Sequence, residues 1–387
     1  MSALSHLRIL DLSRVLAGPW ATQQLADLGA EVIKIEKPDG GDDTRGWGPP
    51  FLSDRDGQPT RESAYYLCTN RGKKSVAIDM ASPEGQAQLR ELVRDCDVVV
   101  ENFKVGGLKK YGLDYPSLKA IKPDLVYCSI TGFGQNGPRR DQAGYDFMIQ
   151  GLGGLMSITG QPGGEPMKVG VAVTDLFTGM YATVAILAAL AHRDRSGVGQ
   201  HIDLALFDCQ LAMLANVASN HLVGGVEPPR YGNAHANIVP YQAFAASDGH
   251  VIVAVGNDSQ FARFAELCGH AEWAEDPRFA TNRARVVHRA ELIPQIETAL
   301  LKQPRRHWIE AMEASGIPGG PINTIPEALA EAQAVARQMV VEVPHPAGSV
   351  KLVANPIKLS ATPIEYRNAP PLLGQHSEEI LRRSDRR

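Results

Sequence analysis

Over residues 1 to about 200, short strand-like runs alternate with helical runs, and this alternation restricts the fold more than any other feature. Leu7–Leu12, Glu31–Glu36, Ser75–Asp79, Asp97–Asn102 and Leu125–Ile130 are rich in Val, Ile and Leu, the pattern of strands buried on both faces of a sheet. Helix signals lie between them. Gly18-Pro19 opens a helix that Gly29 closes, and Ser82-Pro83-Glu84 opens another that runs to about Cys96; a cap residue and an early proline suit a helix start. The alternation predicts βαβ units and a parallel sheet covered by helices, an α/β fold with a Rossmann-like first part. After the first strand comes Ser13-Arg-Val-Leu-Ala-Gly-Pro19 in place of G-x-G-x-x-G, and no Walker A sequence occurs. A nicotinamide or flavin cofactor is therefore not expected.

Composition narrows the function classes. The chain has 387 residues and a net charge of −4, which leaves no basic footprint for nucleic acid or an acidic membrane surface. Cys68, Cys96, Cys128, Cys209 and Cys268 are odd in number and form no C-x-x-C pair, the usage of a reducing compartment. The histidines show no metal-ligand spacing, so no metal is expected. The N-terminus lacks a signal-peptide pattern, and the apolar run Met180–Ala191 is short of the roughly 20 residues that span a bilayer. A cytoplasmic protein is the expectation.

Helices dominate residues 175 to 224, with a strand at His201–Leu206. Residues 201–240 read as a linker and 241–325 as a small α+β domain, with strands near Tyr241–Ala245 and His250–Val255 and helices near Ser259–Cys268, Arg289–Leu301 and Arg305–Ser315. Residues 326–387 read as a return segment to the first domain.

The segment Gly170-Val-Ala-Val-Thr-Asp175-Leu-Phe-Thr-Gly179 sets one carboxylate at the mouth of an apolar helix running from Leu176 to about Ala191. Two jobs suit it. Thr174 or Asp175 could cap the helix by accepting from its free N–H groups. Alternatively, Asp175 could face a cleft as a nucleophile.

Several motifs, in this order and spacing, resemble the class III CoA-transferase family. They are Asp11–Pro19, Leu28–Glu36, Gly41–Arg45, Asn70–Ser75, Val100–Phe103, Gly144-Tyr145-Asp146, Thr174-Asp175 and Pro371–His376. The resemblance covers essentially the whole chain. It implies a large Rossmann-like CoA-binding domain, a small domain, and two subunits interlocked as a homodimer. It also implies that Asp175 is the nucleophile, passing through an aspartyl anhydride and an aspartyl-CoA thioester with CoA as substrate. Water exclusion would separate transfer from hydrolysis, and N–H groups at the helix start could serve an oxyanion.

The same resemblance assigns the other site residues. Val15, Leu16, Lys37, Ile78, Asp79, Met80, Ala81, Asn102, Phe103 and Lys110 match positions that line CoA. Racemases of this superfamily place a histidine base where this chain has Tyr145; a phenol is a poor base at neutral pH but a good hydrogen-bond donor. The segments Thr44–Phe51, Gly232–His235 and Ile238–Phe244 look like those of members that take a dicarboxylate such as glutarate from a donor such as succinyl-CoA. Leu16 stands where formate-using members have glutamine. An arginine–histidine set would anchor the distal carboxylate, with Arg45, His235 and Arg71 as candidates. Each has a bland reading: Arg45 could pair with Asp42 or Asp43, and His235 could only hold its loop. The other functions the sequence admits are a racemase or epimerase, a thioesterase, and a non-catalytic CoA-binding protein.

Overall fold

The computed structural model describes residues 2–384, which divide into two compact units. The first comprises the chain through Leu155, then Lys168–Ala215, then the residues from Ala332 onward; the second comprises Met156–Met167 and Asn216–Glu331.

The first unit is built on six strands, β1 (Arg8–Asp11), β2 (Glu31–Glu36), β3 (Lys73–Ala77), β4 (Val98–Glu101), β5 (Val126–Thr131) and β6 (His201–Ala205). Every pairing is parallel, and the order is β3-β2-β1-β4-β5-β6. This is the doubly wound order, which changes direction between β1 and β4. Loops after those two strands diverge there and leave a crevice at their carboxyl ends.

Alternate residues of each strand feed separate cores. Ile9, Val32, Val98, Val100 and Cys128 pack under α1 (Ala17–Asp27) and the later helix Val173–Ser196. Leu10, Ile33, Val76, Val99 and Tyr127 pack on the opposite face with α2 (Pro83–Arg94). Ser82 caps α2 by accepting from Gly85 N, with Pro83 in its first turn, as the sequence pattern anticipates. Strand β3 begins two residues before the predicted run, because Lys73 and Lys74 also pair with β2.

After β5 come α3 (Asp146–Leu152), α4 (Val173–Ser196) and α5 (Leu206–Met213). The helix α4 has 24 residues, more than the apolar run suggests, and is long and apolar enough by composition to cross a membrane. Only one side is buried. Ala182, Ile186, Ala189 and Leu190 enter the core, whereas Phe177, Met180, Tyr181 and Val184 are exposed. Its crossing with α1 is close at Gly179, where a Cβ would come 2.7 Å from Ala17 O. That contact brings the first turn of α4 to the start of α1.

The second unit carries β7 (Tyr241–Ala246), β8 (Gly249–Ala254) and β9 (Gly319–Pro321) in one antiparallel sheet. It packs with α6 (Asp258–Leu267), α7 (Arg289–Leu300) and α8 (Arg305–Ala314) around Phe244, Phe261, Phe264 and Trp308. Elsewhere in the first unit, Val340–His345 and Gly348–Val353 form a separate hairpin.

Ile186 is fully buried in the core beneath α4. Ile186→Ala is expected to lower stability by about 3 kcal/mol, read as a lower urea midpoint; an unchanged midpoint would contradict this packing.

Candidate active site

A cleft of about 620 Å³ opens in the first unit at the β1/β4 switch point. One wall is the Arg14–Ala17 loop after β1, and the other is the Asn102–Gly107 loop after β4. Thr131, Gly132 and residues 142–145 close it, with Asp175 of α4 inside.

The two loops are tied to each other. Asn102 Oδ1 accepts from Arg14 N at 2.9 Å, and Asn102 Nδ2 donates to Arg14 O at 2.7 Å. The Arg14 guanidinium lies 5.3 Å from the Phe103 ring centre and 2.8 Å from Asp43 Oδ2. Val15 sits at φ 72°, a strained conformation for a β-branched residue, with its N–H 3.3 Å from the Asp42 carboxylate. At the base of the cleft, Gly132 and Gly144 meet backbone to backbone; a Cβ on Gly132 would come 2.7 Å from Gly144 Cα. This close approach sets the path of the next residue, Tyr145, whose side chain is 67% exposed.

Asp175 stands on the first turn of α4 but does not cap it. The cap position is Ala172, with no side-chain bond. The cap comes from Asp146, whose Oδ1 accepts from Thr174 N at 2.8 Å and Asp175 N at 3.4 Å. Gln150 Nε2 donates to the other Asp146 oxygen at 2.7 Å and holds it in place. Val173 N donates to Val171 O, and Leu176 N to Ala172 O. The first-turn N–H groups are thus satisfied internally, so the oxyanion role expected of them is not open in this arrangement. Thr174 is also committed elsewhere, its hydroxyl donating to Gln210 Oε1 at 2.6 Å.

Asp175 has the carboxylate that burial, and secondly the Asp146 charge, push up to about 7. Tyr65 feels the same charge: burial first, then Asp175, raises its phenol to about 12. A carboxylate that ionises near neutrality in a cleft is a functional signal.

Seven of the residues assigned by the motifs come together here: Val15, Leu16, Asn102, Phe103, Lys110, Tyr145 and Asp175 all line the cleft. Lys37 is exposed at its edge, 4.0 Å from Asp43. Ile78, Asp79, Met80 and Ala81 lie outside the lining. Ile78 and Met80 pack in the core with α2, and Asp79 Oδ1 accepts from Ala81 N at 2.9 Å. Arg14, Lys104 and Arg140 also line the cleft and were not singled out from sequence. Arg14 lies within a motif already noted, but an isolated cation has no spacing that marks it.

The expected carboxylate anchors are placed differently. Arg45 is buried, with Nε and Nη2 on Glu36, Nη1 on Glu62, and a further bond from Nη2 to Pro371 O. Its partners are thus Glu36 and Glu62, not Asp42 or Asp43. Arg71 is buried in a bidentate pair with Asp27 and donates to Val353 O at 2.6 Å. Both guanidinium groups would have to leave these buried pairs to hold a substrate. His235 belongs to the second unit, where Nδ1 accepts from Asn237 N at 3.0 Å and the ring lies 5.3 Å from Tyr241.

The model of CoA-transferase family III matches residues 4–377. The chain belongs to this family. It is 53% identical over 379 residues to the succinate–glutarate CoA-transferase of Agrobacterium fabrum, covering 98% of this chain and 94% of that protein. It is 44% identical over 388 residues to the succinyl-CoA:glutarate CoA-transferase of Homo sapiens, covering 99% and 87%. The crystal structure of a CAIB/BAIF family protein from Brucella suis superimposes with a TM-score of 0.86 at 50% identity, covering 99% of this chain and all of that one. As a family III CoA-transferase the protein is an enzyme acting on CoA thioesters, and its α/β fold with a parallel central sheet is that of its relatives.

The raised Asp175 gives a test of sign. Its folded value lies above the ordinary 3.8, so its contribution to stability is greatest at low pH and is lost as pH rises through about 7. Asp175→Asn is therefore expected to be more stable than the wild type by about 2 kcal/mol at neutral to alkaline pH, and by about zero near pH 4. Thermal unfolding across that range checks it; an Asn variant destabilised at alkaline pH would refute the assigned ionisation.

Proposed function

We propose that this enzyme transfers CoA from succinyl-CoA to glutarate, with Asp175 as nucleophile. The observation that carries the reading is an ionisable, half-buried Asp175 at the inner end of a cleft whose other lining cations suit CoA phosphates. The acceptor and donor come from the two relatives at 53% and 44% identity.

The steps balance without a further reagent. The Asp175 carboxylate attacks the thioester carbonyl, the C–S bond breaks, and CoA thiolate leaves a mixed anhydride. Thiolate then attacks the aspartyl carbonyl; a C–S bond forms and succinate departs. Glutarate attacks this aspartyl thioester and regenerates an anhydride with thiolate. Attack of thiolate on the glutaryl carbonyl releases glutaryl-CoA and restores Asp175. Tyr145 donates a hydrogen bond to the carbonyl oxygen as charge develops. Asp146 holds the first turn of α4, and its charge keeps Asp175 from becoming too weak a nucleophile.

CoA is held by Val15, Leu16, Asn102, Phe103 and Lys110. The family match adds Lys37, Ile78, Asp79, Met80 and Ala81 for the part of CoA beyond the cleft. His235 is retained as the anchor of the distal carboxylate on the strength of that match alone, while Arg45 and Arg71 stay in their buried pairs. The match implies a large Rossmann-like domain and a small domain; the sequence boundaries of a linker over 201–240, a small domain over 241–325 and a return segment over 326–387 shift, because His201–Ala205 is a strand of the central sheet and the second unit takes Met156–Met167 and Asn216–Glu331.

A homodimer, interlocked as in the family, gives the exposed apolar side of α4 a cover. Phe177, Met180, Tyr181 and Val184 lie exposed along it, and Phe147 and Met148 on α3, apolar side chains of the kind that mark an interaction surface. Five unpaired cysteines fit a cytoplasmic location.

Incubation with succinyl-CoA and a pool of formate, oxalate, malate, itaconate, glutarate, adipate and carnitine is expected to give glutaryl-CoA as the dominant new thioester by mass spectrometry. Asp175→Ala should lower the rate at least about 10³-fold. A different dominant product would replace glutarate, and free CoA alone would make the protein a thioesterase. Light scattering is expected to report a dimer for the wild type and monomer or aggregate for Val184→Glu; a monomeric wild type would refute the dimer.

A further inference from the structure

Behind the Asn102–Gly107 wall lies a second cavity, of about 370 Å³, lined by Glu101, Ser129, Tyr127, Tyr115 and His201. Glu101 ends β4 and is 6% exposed. It pairs in register with Ser129 of β5, which sets the two side chains on one face of the sheet. Its Oε2 accepts from Phe103 N at 2.8 Å. Ser129 Oγ lies 2.9 Å from His201 Nε2, and the imidazole stacks on Tyr115 with ring centres 5.1 Å apart. His201 itself is exposed. Glu101, Ser129 and His201 thus lie in a row on one face of the sheet, from the back of the cleft wall to the surface.

We propose that Glu101 is the positioning residue for the CoA-facing wall, holding Asn102–Lys104 through the Phe103 N–H. The inference rests on the CoA-transferase reading of the cleft. Glu101 has no basic side chain among its hydrogen-bond partners. The groups that face it are Ser129 and Tyr127 from β5 and His201 and Asp203 from β6, with Asp114 and Tyr115 at the start of the helix Tyr115–Ile121. The cations Lys104, Lys109 and Arg140 line the same cavity. Burial pushes the Glu101 carboxyl up to about 7, against the opposing bonds from Ser129 and Phe103 N.

An ionised Glu101 behind the wall, with no cation among its hydrogen-bond partners, repels the phosphates of CoA in front of it. Neutral Glu101 is therefore the binding state.

Calorimetric titration of the full-length protein with CoA, from about pH 6 to about pH 8.5, tests this. Ionisation of the CoA 3′-phosphate is common to all variants, so the comparison is between them. Relative to Glu101→Gln, which keeps an acceptor for Phe103 N–H but cannot ionise, the wild type should lose about three- to tenfold in affinity as pH rises through about 7. Glu101→Leu, which removes the acceptor as well, should bind about fivefold more weakly than Glu101→Gln at every pH. Superimposed wild-type and Glu101→Gln profiles would overturn the assignment and leave the transferase reading intact. A wild type that bound no CoA at any pH would overturn both.

Discussion

The cleft stands on charges that are fully buried beneath it. Lys34 of β2 and Lys73 of β3 have no exposure. Lys34 Nζ lies 2.8 Å from Asp42 and donates to Ser13 O at 2.9 Å. Lys73 Nζ uses all three donors, on Asp11 at 3.0 Å, Asn70 at 2.9 Å and Pro19 O at 2.9 Å. A lone buried ammonium would shed its proton. Here burial brings Lys73 down only to about 8, because Asp11 opposes it. The same Lys34 charge helps hold the Asp42 carboxyl down at about 2, against its burial. Removing one partner from such a pair typically costs about 3–5 kcal/mol, since the other charge stays buried. The two ammonium groups end on Ser13 O and Pro19 O, which bracket the Arg14–Gly18 turn. The strained backbone at Val15 is thus pinned from below on both sides.

A second electrostatic decision is made at the start of α4. The positive end of a helix favours one carboxylate there. Asp146 takes that place through the Thr174 and Asp175 N–H groups, and Asp175, half-buried on the first turn, bears the repulsion. The helix is capped by one aspartate, which leaves the other free for the nucleophilic role proposed for it. Dividing the two tasks between two side chains lets the helix start be satisfied while Asp175 keeps a raised pKa.

Much of the fold was legible from the chain. Strands buried on both faces leave continuous runs such as Val98–Val100 and Val126–Ile130, and parallel connection leaves helical runs between them. Ser82-Pro83 marks its helix by local capping, which needs no distant partner. Asp175 was only half legible. Its position at a helix mouth suits a cap or a nucleophile equally, and the residue that settles the capping role, Asp146, lies 29 positions upstream. Arg45 and Arg71 show the opposite failure. A single arginine in a sequence carries no mark of its partner, and Glu36, Glu62 and Asp27 reach them only once β2 and α1 are packed. Glu101 was overlooked because a lone glutamate ending a strand looks like a solvated charge.

By itself the sequence determined the alternation of strands and helices, the capping of α2 and the family to which the chain belongs, because these depend on local periodicity and on residues in fixed order. Tertiary structure alone decided which acids are pushed toward neutrality, which are paired and which face the cleft. Those outcomes depend on burial and on partners separated by tens to hundreds of residues, and a chain acquires both only when the sheet closes.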